Sequence, residues 1–245
     1  MSLQYQQDVP TDTEAEERRS EVAYPVFPRM TVVLIGCYAA VFAAQAIIGI
    51  NRSVLLAGEY KDIILSGHEI WRILTGTALH GGIAHILFNS YAFYSFGRLI
   101  EMLSNRWHLA VVFLLAAISG SILSLMISPH GISVGASGGI VGLVGYLTVY
   151  SFKRREFISA SFRNNLIFNI GFILFYGFVL VPAVDNFAHI GGLVMGAVYG
   201  LIQVPGDGNV DPRKGSPIVE AAGIASIGIY AAICVFAILV ILQQI

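Results

Sequence analysis

Beyond Arg29 the chain is a succession of long apolar stretches, and only 20 of those last 216 positions are Asp, Glu, Lys or Arg. A folded soluble surface needs far more, since about a quarter of the residues in a globular domain are charged. With 56% hydrophobic residues, 26 glycines and a mean hydropathy of +0.74, the chain reads as a polytopic membrane protein. The net charge of -1 supplies no basic field for nucleic acid.

An apolar helix needs about 20 residues to cross a bilayer. The sequence predicts an all-α protein with spans near 30–50, 83–103, 107–128, 134–152, 166–184, 187–204 and 219–242. Residues 51–82 form one long connection, in which apolar clusters, Tyr60 and Trp71 fit a segment at the membrane interface as well as an ordinary loop. Residues 1–29 hold nine of the 29 charges. They read as a flexible tail rather than a secretory signal, because the first apolar run begins only at Met30. Cys37 and Cys234 lie in apolar runs near opposite ends and read as free thiols.

Placing the amino terminus in the cytoplasm puts eleven of the 14 Lys and Arg on the inner side, leaving Arg52, Lys61 and Arg72 outside. Seven spans then put Ile245 outside, most simply across a plasma (inner) membrane. In that orientation the even-numbered spans all start at the outer side. His80, His85 and Asn89 at the second span, Ser137 at the fourth and His189 at the sixth therefore lie at a similar depth. Polar groups at such depth are costly and mark functional candidates.

Gly138, Gly142 and Gly145 smooth one side of the fourth span, while Gly192, Gly196 and Gly200 recur every four residues in the sixth. Small-residue ridges let two helices approach closely. Their packing would bring Ser137 and His189 together, since His189 shares the face of Gly192. A serine beside a neutral imidazole supports acyl transfer. His85 and Asn89, spaced i, i+4 on one face, can donate to the oxyanion, as can the Ser137 backbone N–H. Their alternative role is a structural hydrogen-bond pair between helices, just as a lone membrane serine ordinarily caps a helix or bonds a carbonyl.

These elements together resemble the rhomboid family of intramembrane serine proteases. Trp71-Arg72, His80-x4-His85-x3-Asn89, Gly135-x-Ser137-Gly138 and Ala188-His189-x2-Gly192-x3-Gly196 stand in the family's order, with Glu101 at an acidic position closing the second span. The resemblance implies a catalytic membrane core of six helices over 30–204. A further helix lies in 205–245, and 1–29 is a cytoplasmic tail. It implies Ser137 as nucleophile, His189 as base of a dyad, and His85, Asn89 and His80 as the oxyanion and supporting groups. No cofactor or metal is implied, and the partners are transmembrane substrates and the lipid bilayer. Val141 departs from the family, many members having an aromatic there, which puts detailed specificity in doubt.

Three other readings compete. His80, His85 and His189 would suit a three-histidine zinc hydrolase, but no His-Glu-x-x-His accompanies them. An inactive rhomboid-like protein would bind client helices without cutting, yet such members lose the serine or histidine. A transporter would carry charges deep in several spans. Asp185, four residues before His189, is expected to be hydrated at the outer surface and not part of a triad. Phe168, Phe172 and Phe175 form a stripe on the fifth span that, with Phe88, fits either a lateral substrate gate or a lipid-facing surface.

Overall fold

The computed structural model describes residues 27–181 and 184–244, so all but the last three residues of the expected tail lie outside it. Among the described residues seven long helices carry the fold. They are α1 (Arg29–Ile48), α5 (Ile83–Leu103), α6 (Arg106–Ile127), α7 (Ser137–Lys153), α8 (Ala160–Phe175), α9 (Asn186–Gln203) and α10 (Pro217–Ile241). Four segments are long and apolar enough to cross a membrane: Arg29–Ile48, Arg106–Ile127, Ala160–Leu180 and Pro217–Ile241. The other three, α5, α7 and α9, are those that carry the polar candidates. With 17 residues, α7 is about 26 Å long, short of the ~30 Å hydrocarbon core.

The connection over 51–82 is more ordered than a loop. It contains the short helices α2 (Ile50–Ala57), α3 (Lys61–Gly67) and α4 (Arg72–Thr75). Strand β1 (Glu59–Tyr60) pairs antiparallel with β2 (Ile132–Ser133), Glu59 opposite Ser133. Arg72, buried behind Trp71, ties the segment together. Its Nε donates to Glu69 at 2.5 Å, its Nη1 to the carbonyls of Leu55 and Gly58, and its guanidinium lies 4.7 Å from the Trp71 ring. Trp71 in turn meets Phe236 of α10 edge-on at 5.4 Å.

The two glycine ridges pack as their spacing predicts. A β-carbon at Gly192 would overlap the carbonyl of Gly138, and one at Gly196 that of Gly142. Helix α7 is consequently enclosed on most sides, while in α8 only Leu166 is buried. α8 starts six residues earlier than the hydropathy places it. The Ser159 hydroxyl caps it by accepting from Phe162 N–H, and its polar first turns, Arg163-Asn164-Asn165, hide the helix from an apolar count. It ends in a π-helical turn over Tyr176–Leu180.

Helix α10 packs on α6 and α1. Tyr230 meets Phe113 at 5.0 Å, and both cysteines are free, brought side by side by this packing. Glu101 at the end of α5 accepts from the N–H groups of Met30 and Thr31 and from the Thr31 hydroxyl. A carboxylate there satisfies orphan donors at the start of α1 and meets its positive dipole end.

Candidate active site

Ser137 opens α7 as its first residue. The N-cap position falls to Ala136, so the serine does not serve as the cap. The turn before it depends on Gly135, which adopts φ +126, a conformation glycine alone takes freely. Gly135 donates its N–H to the carbonyl of Gly76 at 2.9 Å, which fastens the turn to the long connection. A β-carbon at Gly135 would stand 2.8 Å from Cε1 and Nε2 of His85 and 3.4 Å from Nδ2 of Asn89. The side chains of α5 thus close on the backbone two residues before the serine.

The tautomer of His85 follows from its neighbour. Gly81 N–H donates to its Nδ1 at 3.3 Å, so a neutral His85 carries its proton on Nε2, the nitrogen that faces Gly135. Asn89 is buried and its Nδ2 has no hydrogen-bond partner among the described residues. Two donors therefore lie against the turn that presents Ser137, and the N–H of Ser137, at the start of a helix, is a third.

The other side of the turn meets α9. A β-carbon at Gly138 would lie 3.3 Å from the carbonyl oxygen of Ala188, the residue before His189. His189 is 7% exposed, and its Nδ1 makes no hydrogen bond among the described residues. The sequence thus puts Ser137-Gly138 and Ala188-His189 on opposite sides of one helix contact. His80 is fully buried behind His85, ring centroids 5.2 Å apart, and beside Tyr38 at 5.0 Å. Its backbone is clamped by Gln45 of α1, which accepts from His80 N–H at 2.9 Å and donates to its carbonyl at 3.1 Å. Among the described residues no group of three or more His, Cys, Asp or Glu converges as a metal-holding set.

A second polar cluster was not legible in the sequence. Asp185 caps α9 by accepting from Ala188 N–H at 3.0 Å, and its carboxylate also takes Lys61 Nζ at 3.1 Å and the hydroxyls of Ser124 and Ser133. Where the sequence leaves it to solvent, the structure engages its side chain with these partners rather than with the His189 ring. Burial raises its proton affinity. The hydroxyls, the Ala188 N–H and the Lys61 charge outweigh that and hold the carboxyl below its ordinary range. Glu59 lies beside them, 3% exposed, its Oε1 without a hydrogen-bond partner among the described residues. Burial pushes its carboxyl up to about 8, against Ser121 and Lys61. Glu59, Ser121, Ser133, Asp185 and Ser137 all line one cavity of about 20 Å³, room for a single water. The available signal was a Glu and a Lys two residues apart in a chain nearly free of charge.

The description "Rhomboid domain" matches residues 67–206, more than half of the chain. The chain belongs to the rhomboid family. Among its curated relatives, Rhomboid protease GluP of Bacillus subtilis (strain 168) is 36% identical over 188 residues, covering 74% of this chain and 36% of the relative. RHOMBOID-like protein 6, mitochondrial, of Arabidopsis thaliana is 36% identical over 152 residues, covering 59% and 47%. RHOMBOID-like protein 1 of the same plant is 32% identical over 149 residues, covering 58% and 36%. This rhomboid thus spans less than half the length of these relatives. It is a multi-pass integral membrane protein.

Proposed function

We propose that this rhomboid is an intramembrane serine endopeptidase that cuts peptide bonds in or beside transmembrane helices of its substrates. The observation that carries the reading is the double contact of one turn: Gly135 lies against His85 and Asn89, while Gly138 lies against Ala188, next to His189. In this reading the turn carries the nucleophile between its base and its oxyanion donors, as acyl transfer requires.

In the proposed reaction Ser137 Oγ attacks the scissile carbonyl as His189 takes the hydroxyl proton. The oxyanion is met by Nε2–H of His85, Nδ2–H of Asn89 and the N–H of Ser137. His189 then gives its proton to the leaving amine, the C–N bond breaks, and an acyl-serine remains. Water, deprotonated by His189, attacks that ester and restores the serine. His80 stands behind His85 and sets its ring. The architecture proposed is six rhomboid helices plus α10, with the amino terminus inside and the carboxyl terminus outside.

The test is labelling of the detergent-solubilised full chain with a fluorophosphonate probe. Labelling of the wild type and none of Ser137→Ala is the expected result. Absent labelling of a folded wild type would favour a rhomboid-like protein that binds client helices without cutting. Metal-restorable inhibition by phenanthroline would instead favour the three-histidine zinc reading.

A further inference from the structure

Helix α7 has a second polar end. Opposite Ser137 it finishes in Lys153-Arg154-Arg155, the only three consecutive cations in the sequence. There the turn into α8 faces the loop between α9 and α10 across a cleft of about 300 Å³, lined by these three residues with Phe152, Glu156 and Phe157. Three cations oppose one carboxylate.

The cleft is built around a buried charge. Arg154 is 7% exposed, and its Nη1 and Nη2 donate to the carbonyls of Asp207 and Gly208. Its Nε is buried and has no hydrogen-bond partner among the described residues. The guanidinium thus faces two neutral carbonyls and the Phe157 ring, 4.7 Å away, with one donor unmet and, among the described residues, no carboxylate in ion-pair contact. Lys153 uses one of its three donors on the Leu201 carbonyl at 2.8 Å, and Arg155 is exposed. Donors of this kind fit a tetrahedral phosphate, which arginine binds with charge-assisted hydrogen bonds.

The surroundings decide which phosphate. Phe152, Phe157, Leu201 and Ile202 are exposed apolar side chains near the cleft, at the ends of two membrane-embedded helices and in the turn between α7 and α8. A soluble phosphate has no use for them, whereas acyl chains do. Basic pockets at helix ends on the positively charged side of a membrane protein are where anionic headgroups bind. We propose that this cleft binds the phosphate of one anionic phospholipid, with its chains lying along Phe152 and Ile202. The lipid would bridge the α7–α8 turn to the loop leading into α10. The inference is independent of the proteolytic reading.

The test is native mass spectrometry of the full chain in neutral detergent, titrated with phosphatidylglycerol, phosphatidylcholine or glycerophosphate. Arg154→Gln removes two loop tethers and is a poor probe, so Arg155→Gln and the double variant Lys153→Gln/Arg155→Gln are used. One phosphatidylglycerol per chain is expected, preferred over phosphatidylcholine. Its affinity should fall about fivefold in the single variant and further in the double one. Equal retention of phosphatidylcholine, or phosphatidylglycerol binding unchanged in both variants, would overturn the proposal. Glycerophosphate binding as tightly as phosphatidylglycerol would assign the cleft to a soluble phosphate and overturn it equally.

Discussion

Glu59 keeps its proton in the folded protein to about pH 8, whereas an unfolded glutamate releases it near 4.5. Between those values the folded state binds the extra proton, so the contribution of Glu59 to stability falls as pH rises from about 5 to about 8 and levels off above. Glu59→Gln fixes the neutral form and should flatten that loss, read as melting temperature at pH 6 and pH 8.5. The same slope in both proteins would contradict the burial argument. Asp185 calls for the opposite expectation from a triad aspartate. Asn still caps α9 but leaves Lys61 buried without its counter-charge. Asp185→Asn should lower the melting temperature while cleavage, measured well below it, stays within about tenfold of wild type. A loss near 10⁴ in folded protein would make Asp185 part of the catalytic machinery. The candidate residues were readable because polar side chains are rare in apolar helices. The Asp185 cluster was not, because Lys61, Ser124, Ser133 and Asp185 come from four separated segments and none is unusual alone.

The glycine ridges are the best-read elements, because intervals of three and four map directly onto one helix face. Gly196→Ala places a methyl on the Gly142 carbonyl, overpacking that costs about 1–3 kcal/mol. Gly171→Ala in α8 meets nothing within 4 Å and should leave melting unchanged or slightly raised. Equal effects would mean that the ridges do not hold α7 to α9. Arg163-Asn164-Asn165 hide the start of the fifth span from hydropathy, and a two-residue ladder such as β1–β2 leaves no periodicity in the sequence. Phe88, Phe168, Phe172 and Phe175 are all exposed, Phe88 at 74%, and Phe168 stacks on Phe172 at 6.3 Å. Exposure suits both a gate and a lipid-facing surface. If α8 parts from α5 to admit a substrate helix, Phe172→Ala should speed cleavage of a transmembrane substrate and leave a short soluble peptide unaffected. Equal effects on both substrates, or none on either, would return the stripe to lipid contact.

At the scale of the whole molecule, charge scarcity identified a membrane protein and the motif order identified the family. The three helices not apolar or long enough to stand out as spans, α5, α7 and α9, are the ones that carry the candidate residues His85, Asn89, Ser137 and His189. The cation bias predicts that a reporter fused after Ile245 reads as outside and one at the amino terminus as inside. Both on the same side would refute an odd number of crossings. The central claim, that Ser137 and His189 cut a peptide bond within the membrane, is tested most directly by one comparison. The purified full chain is reconstituted in liposomes with a transmembrane substrate, and product is followed for wild type, Ser137→Ala and His189→Ala. Cleavage by the wild type and its abolition in both variants, with unchanged melting, is the predicted result. Cleavage persisting at the wild-type rate in folded Ser137→Ala would contradict it.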